Sequence, residues 1–228
     1  MALPFFLCLS LLTGASARAG ENPVFVCTHL LPSPYTIPAG RLSYGSSFSL
    51  GVTDFMQIGT NAWLDAYRVW NGDVKLSLLD YRNFALSLTG EVLYYNLADM
   101  DPRNPSMQIT SWQPGAVAAF GFLERFAIFG GITLDLREAK APTGIVATSG
   151  YTPGARLEAD AAFMYGDPKR HGIGNAFSAG ITYDATYQLF GFGFGHHWPG
   201  FHLGIHYYPG ADQNRILPIL TGGGTVQL

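Results

Sequence analysis

The chain has 228 residues, 48% hydrophobic, 14% aromatic and only 13% charged, with 28 glycines and a formal net charge of -3. The charged share is about half that of an ordinary soluble protein, and without a basic stripe nothing points to a nucleic-acid partner. Past the first residues no apolar run approaches the ~20 residues of a membrane-spanning helix, so two classes remain: a β protein poor in charge, or a transmembrane β-barrel.

Residues 1–19, "MALPFFLCLSLLTGASARA", carry an apolar stretch from Leu3 to Leu12 and then small residues, with Ala17-Arg18-Ala19 fitting an A-x-A cleavage pattern. This reads as a secretory signal peptide. Cys8 leaves with it, and the lone Cys27 excludes an internal disulfide or a zinc site built on paired cysteines. Residues 20–40 form an N-terminal segment in which "PVFVCTHLL" is a candidate first strand. The domain proper is 41–228.

From Arg41 onward the sequence alternates with period 2, the signature of strands. Leu42, Tyr44, Phe48 and Leu50 alternate with Ser43, Gly45, Ser47 and Ser49 in a single strand from Arg41 to Val52. After the turn "GVTD", Met56, Ile58 and Leu64 alternate with Gln57, Gly59, Asn61 and Asp65. Val74, Leu76 and Leu78 stand opposite Asp73, Lys75 and Ser77, and Phe84 to Tyr94 stand opposite Ser87, Thr89 and Glu91. The pattern continues through Ala116–Phe122, Ile128–Leu136, Leu157–Phe163 and Phe177–Tyr183, whose opposite faces carry Asp135, Arg137, Arg156, Glu158, Asp160 and Asp184.

The polar face decides between the two classes. Soluble sheets show water a face dense in Lys, Glu, Thr and Arg. Here that face is mostly Gly, Ser, Thr and Asn, which suits a confined lumen, while the other face is bulky and uncharged, which suits lipid. Segments of about ten residues also match a tilted bilayer crossing better than the five or six of an average soluble strand. The expected fold is therefore all-β, an antiparallel transmembrane β-barrel of about 12 strands, with 10 as the alternative. "GVTD", "DYRN" and "LERF" are tight turns expected in the periplasm, and the loops 98–108 and 137–153 are long and expected outside.

The string "YTIPAGRLSYGSSFSLGVTDFMQIGTN" resembles the opening of small Gram-negative outer-membrane β-barrel proteins, whose pattern runs "TLPAG", a strand, "YGVTD" or "YGLTD", then "LQVGT". Leu50 stands where the pattern has Tyr, and Gly51-Val52-Thr53-Asp54 is intact. "KLSLLD", Lys75 to Asp80, is similar to a later part of it. The resemblance implies an outer-membrane location, contact with outer-membrane lipids and insertion by the barrel-insertion machinery. It implies no catalytic residue and no cofactor. Leu228 departs from the C-terminal aromatic common among such barrels.

The run "GFGFGHHWPGFHLGIHYYP", Gly191 to Pro209, holds four of the six histidines. With Pro199-Gly200 at the tip of a two-residue hairpin, Trp198 faces Phe201, His197 faces His202 and Gly193 faces His206. Trp198, Phe201 and Tyr207 then fall at a membrane girdle, while His197, His202, His206 and Tyr208 point into the lumen. Directly opposed, His197 and His202 can both reach one ion, but His206 lies about 13 Å along the strand and a third ligand would have to be Asp184. No metal is assigned. A Ser-His-acid set would draw on Ser178, Asp184 and the histidines, yet the sequence does not bring them together. The plainer reading has the imidazoles filling the lumen near one rim.

Assigned inward are the acids Asp65, Asp73, Glu91, Asp135, Glu158, Asp160 and Asp184 against the bases Lys75, Arg137 and Arg156. Charges in a narrow lumen pair into a network, since unpaired desolvated charge is costly, and a net acidic lining favours cations. The expected function is non-enzymatic: envelope structure, a narrow porin-like path for a small solute or cation, or surface contact. An envelope enzyme hydrolysing lipid or peptide, and a binder of apolar ligands, are the alternatives.

Overall fold

The structure is a computed structural model and describes residues 34–45, 47–81, 83–100, 106–122, 125–140, 152–165, 175–198, 201–211 and 216–227. Residues 1–19, expected to be a signal peptide, Cys27 and "PVFVCTHLL" lie outside them. Side chains are described for most of these residues, but not for Trp63, Met100, Thr152, Pro153, Met164, His197, Trp198, Phe201, His202 or any residue after Ile216.

The fold is one antiparallel sheet of strands joined in sequence order. The strands are β1 (Arg41–Gly45), β2 (Ser47–Thr53), β3 (Met56–Asn61), β4 (Trp70–Tyr81), β5 (Phe84–Asn96) and β6 (Gln108–Phe122), followed by β7 (Phe126–Lys140), β8 (Thr152–Tyr165), β9 (Asn175–Asp184), β10 (Leu189–Trp198), β11 (Phe201–Tyr207) and β12 (Ile216–Gln227). Two one-turn helices, α1 (Ala62–Ala66) and α2 (Leu97–Met100), sit in connections. Each strand pairs with the next, and β1 pairs with β12 through Arg41–Gly45 against Gly223–Gln227, which brings the strand order back to its start.

Several expectations need correction. Arg41 to Val52 is not one strand. It folds back between Gly45 and Ser47, so that Leu42 faces Leu50 and Ser43 faces Ser49. Gly45, at φ 152°, supplies backbone freedom that a residue with a Cβ lacks. The strand after the "GVTD" turn stops at Asn61, and Leu64 and Asp65 belong to α1 instead. Asp65 therefore does not line the lumen: at the end of the wall it accepts from Asn71 Nδ2 (2.8 Å) and Thr60 Oγ1 (3.1 Å). A bulge between Ser77 and Leu79 re-phases β4, so Leu79 and not Leu78 stands on the outer face. The 137–153 connection is shorter than expected, because β7 runs to Lys140 and β8 begins at Thr152, whereas the 98–108 connection keeps its length, since β5 ends at Asn96 and β6 starts at Gln108. Polar residues there continue the ladder, Ser111 opposite Arg137 and Thr110 opposite Glu138.

The tight connections after β2, β4, β6 and β10 leave the sheet at one end, while α1, α2 and residues 185–188 and 208–211 lie at the other. The two faces of the wall differ as the alternation requires. Large apolar side chains are exposed all around it, among them Phe194 at 62%, Phe177 at 54%, Trp112 at 52% and Ile181 at 45%. Buried against the interior are Ser49, Gln57, Lys75, Ser87, Ser111, Asp160, Ser178 and Thr182. A soluble sandwich buries its apolar face and wets its polar one; this sheet does the reverse. The apolar part of the interior is small. Val117, Ala119, Ala127, Phe129, Ala162 and Ala176 form one cluster with Tyr35 packed on it.

Candidate functional site in the barrel interior

The first described segment, Pro34 to Gly40, is not a strand. It enters beside the β2–β3 turn and runs inside the ring, from exposed Ala39 to fully buried Pro34. At the mouth, the Ala39 N–H donates to Asp54 Oδ1 (3.1 Å) and Thr36 Oγ1 donates to the Asp54 carbonyl (2.6 Å). Deeper, the Ile37 N–H donates to Gln57 Oε1 (3.1 Å), Lys75 Nζ donates to the Tyr35 carbonyl (3.1 Å), and Ser87 Oγ donates to the Pro34 carbonyl. Gln57, Lys75 and Ser87 are inward side chains of three successive strands, and each is below one-tenth exposed. Burial, with the charge of Asp80 adding to it, pushes the Tyr35 phenol above its ordinary range. The segment fills the tight-turn half of the interior together with the apolar cluster.

The other half is polar. Asp73 on β4 stands directly opposite Glu91 on β5, an arrangement of like charges that is unfavourable unless a cation stands by. Lys75 lies two residues from Asp73 and Arg156 lies within Coulombic range of Glu91. Arg156 pairs with Glu158 at 3.3 Å, where the guanidinium is about half exposed and the carboxylate buried. Arg137 pairs with Asp135 at 2.6 Å and donates to Tyr187 Oη at 3.2 Å, and Asp135 also accepts from Ser111 Oγ, which in turn accepts from Gln113. These pairs are the ion network that a confined lining requires.

Asp160 is different. It is 4% exposed, opposite Phe129 on β7 and Gly180 on β9, and its carboxylate engages no side chain among the described residues. It is the last acid on β8 before the apolar cluster begins at Ala162.

The histidine hairpin has the register read from its sequence: Trp198 opposite Phe201, His197 opposite His202 and Gly193 opposite His206. His206 is half-buried on the inner face, and the ring of Tyr208 lies over Gly191, where any Cβ would strike it. Burial raises the Tyr208 phenol, with Arg156 opposing. Tyr207 is exposed on the outer face.

His197 is level with Ala176, while Asp184 lies at the far end of β9, about 26 Å along the strand. Asp184 instead accepts from the Thr186 and Tyr187 amides at 2.9 and 3.1 Å. It cannot complete a metal site with His197 and His202, and no group of three metal-binding side chains occurs among the described residues. Ser178 and Asp184 stand about 20 Å apart on β9, too far for a catalytic triad.

Two parts of this arrangement escape sequence reasoning. The Pro34–Gly40 segment carries no periodicity that marks it as lumenal. His196, one step out of phase with His197, lies on the outer wall, hydrogen-bonded to Tyr165 Oη and edge-on to Phe177 at 4.4 Å. Strict alternation from Phe194 contained that placement. No protein-family model, curated protein or solved structure matches the chain.

Proposed function

We propose that the chain is a non-enzymatic outer-membrane β-barrel of a Gram-negative envelope, with its tight turns in the periplasm and its interior closed in the resting state. One observation carries the reading. The bulky residues Trp112, Ile132, Leu157, Ile181 and Phe194 are exposed around the wall, while Ser87, Ser111, Asp160 and Thr182 are buried inside it. In water that pattern would expose a contiguous apolar belt far beyond the few hundred Å² a soluble monomer tolerates. In hydrocarbon the same belt is the favourable surface, and the closed ladder leaves no open edge there.

The filled tight-turn half argues for a wall protein with at most a narrow path over a wide pore. The acidic lining makes any such path cation-preferring. The separation of Ser178 from Asp184 along β9 speaks against the Ser-His-acid set on which the enzymatic alternative would draw.

Folding the mature chain into phospholipid vesicles tests this reading. The expected result is a protein that stays with the vesicles after carbonate wash and shows heat-modifiable migration. A chain that is monodisperse in buffer without detergent defeats it.

A further inference from the structure

We propose that residues 34–40 are a displaceable plug, hinged at Gly40 and latched by Lys75, that closes a cation-selective path through the barrel. The inference rests on the membrane-barrel reading and adds to it a gate and a class of solute.

Three features separate a gate from permanent filling. The segment takes no ladder bonds, so the sheet remains complete without it. It is held instead by the polar contacts of Asp54, Gln57, Lys75 and Ser87 and by the packing of Tyr35 on the apolar cluster. It joins the wall through a tight turn in which Gly40 has φ 72°, the Gly40 N–H donates to the Gly51 carbonyl (2.9 Å) and the Arg41 N–H donates to the Pro38 carbonyl (3.1 Å). A left-handed glycine is where a chain pivots at least cost.

Lys75 gives the device two positions. Its ammonium is buried, and a buried cation must keep a partner. With the plug seated, that partner is the Tyr35 carbonyl at 3.1 Å. With the plug withdrawn, Asp73 lies two residues along the same strand, and the pair already feel each other's charge. The latch therefore exchanges one acceptor for another instead of stranding its charge, as a two-state element requires.

Beyond the plug the lining is acidic. Asp73 and Glu91 face one another, and Asp160 stands alone at the border of the apolar cluster. Small cations, not anions, are the class this lining admits.

Planar-bilayer recording on the full mature chain tests the proposal. The wild type should be silent apart from brief openings. Lys75→Met removes one charge-assisted hydrogen bond to the plug and should raise open probability roughly ten- to a hundredfold. Reversal potentials in a KCl gradient should show cation preference, reduced by Asp160→Asn. In a Cys27→Ser background, Ile37→Cys with Gln57→Cys should be silent when oxidised and open when reduced, and this pair keeps the test alive if Lys75→Met does not fold. Heat-modifiable migration of each variant reads the barrel itself, so failure of the membrane reading shows separately. A folded Lys75→Met no more conductive than wild type, an oxidised pair that conducts like the reduced one, or anion preference overturns the gate.

Discussion

Replacing Ile181 with Arg separates a lipid-facing wall from a water-facing one by sign. Ile181 lies at mid-height on β9, between Ala159 of β8 and Phe192 of β10, and is 45% exposed. In water, an Arg at so exposed a site would remove apolar surface and cost close to nothing. At the middle of a bilayer the same change costs about 2–4 kcal/mol, falling to about 0–1 near the interfaces. That corresponds to roughly a 30- to 900-fold drop in the folding equilibrium constant. Urea titration of vesicle-embedded protein, followed by tryptophan fluorescence, measures the difference. Phe177→Arg serves as the control: it sits on the same outer face near the tight-turn rim, beside His196 and Tyr165, and should cost less. Equal costs at the two depths, or no cost at Ile181, would refute the assignment of the outer face to lipid.

The interior makes its own predictions. Phe129→Ala empties a 3%-exposed site in the apolar cluster and should cost about 3–5 kcal/mol in the same titration. Gly51→Ala places a methyl group against the backbone carbonyls of Ile37 and Pro38, so it should expel the plug, visible as faster proteolysis before Gly40 with the barrel intact. Arg137→Ala removes a partly exposed ion pair with Asp135 and should change stability by less than about 1 kcal/mol. His197→Ala with His202→Ala should leave heat-modifiable folding unchanged, and a loss of folding would contradict the expectation that they only fill the rim.

Much of the wall was legible from alternation alone. A strand's side chains change face at every residue, so once Phe192 is outside, Gly193 is inside and Phe194 outside again, and the hairpin register follows from the two residues at its tip. That rule fails wherever the backbone breaks period. The bulge at Ser77–Leu79 moved Leu79 to the outer face, and the fold-back between Gly45 and Ser47 made two strands of one. Neither leaves a mark in hydrophobicity, because Leu78 and Leu79 are both leucine and the fold-back falls between Gly45 and Ser47, neither of them bulky or apolar.

The sequence by itself determined the class of fold, the identity of its two faces and the acidic character of the lining, because each depends only on spacing along a strand. Tertiary structure alone decided which inward groups meet: that Arg156 neutralises Glu158, that Asp184 lies a strand's length from the histidines, and that Lys75 reaches the Tyr35 carbonyl. The contacts of the 34–40 segment join residues up to 53 positions apart, as Ser87 and Pro34 are. They exist only because curling the sheet brings a segment with no pattern of its own against three strands at once. Local periodicity describes a surface; what fills the space behind it is set by long-range packing.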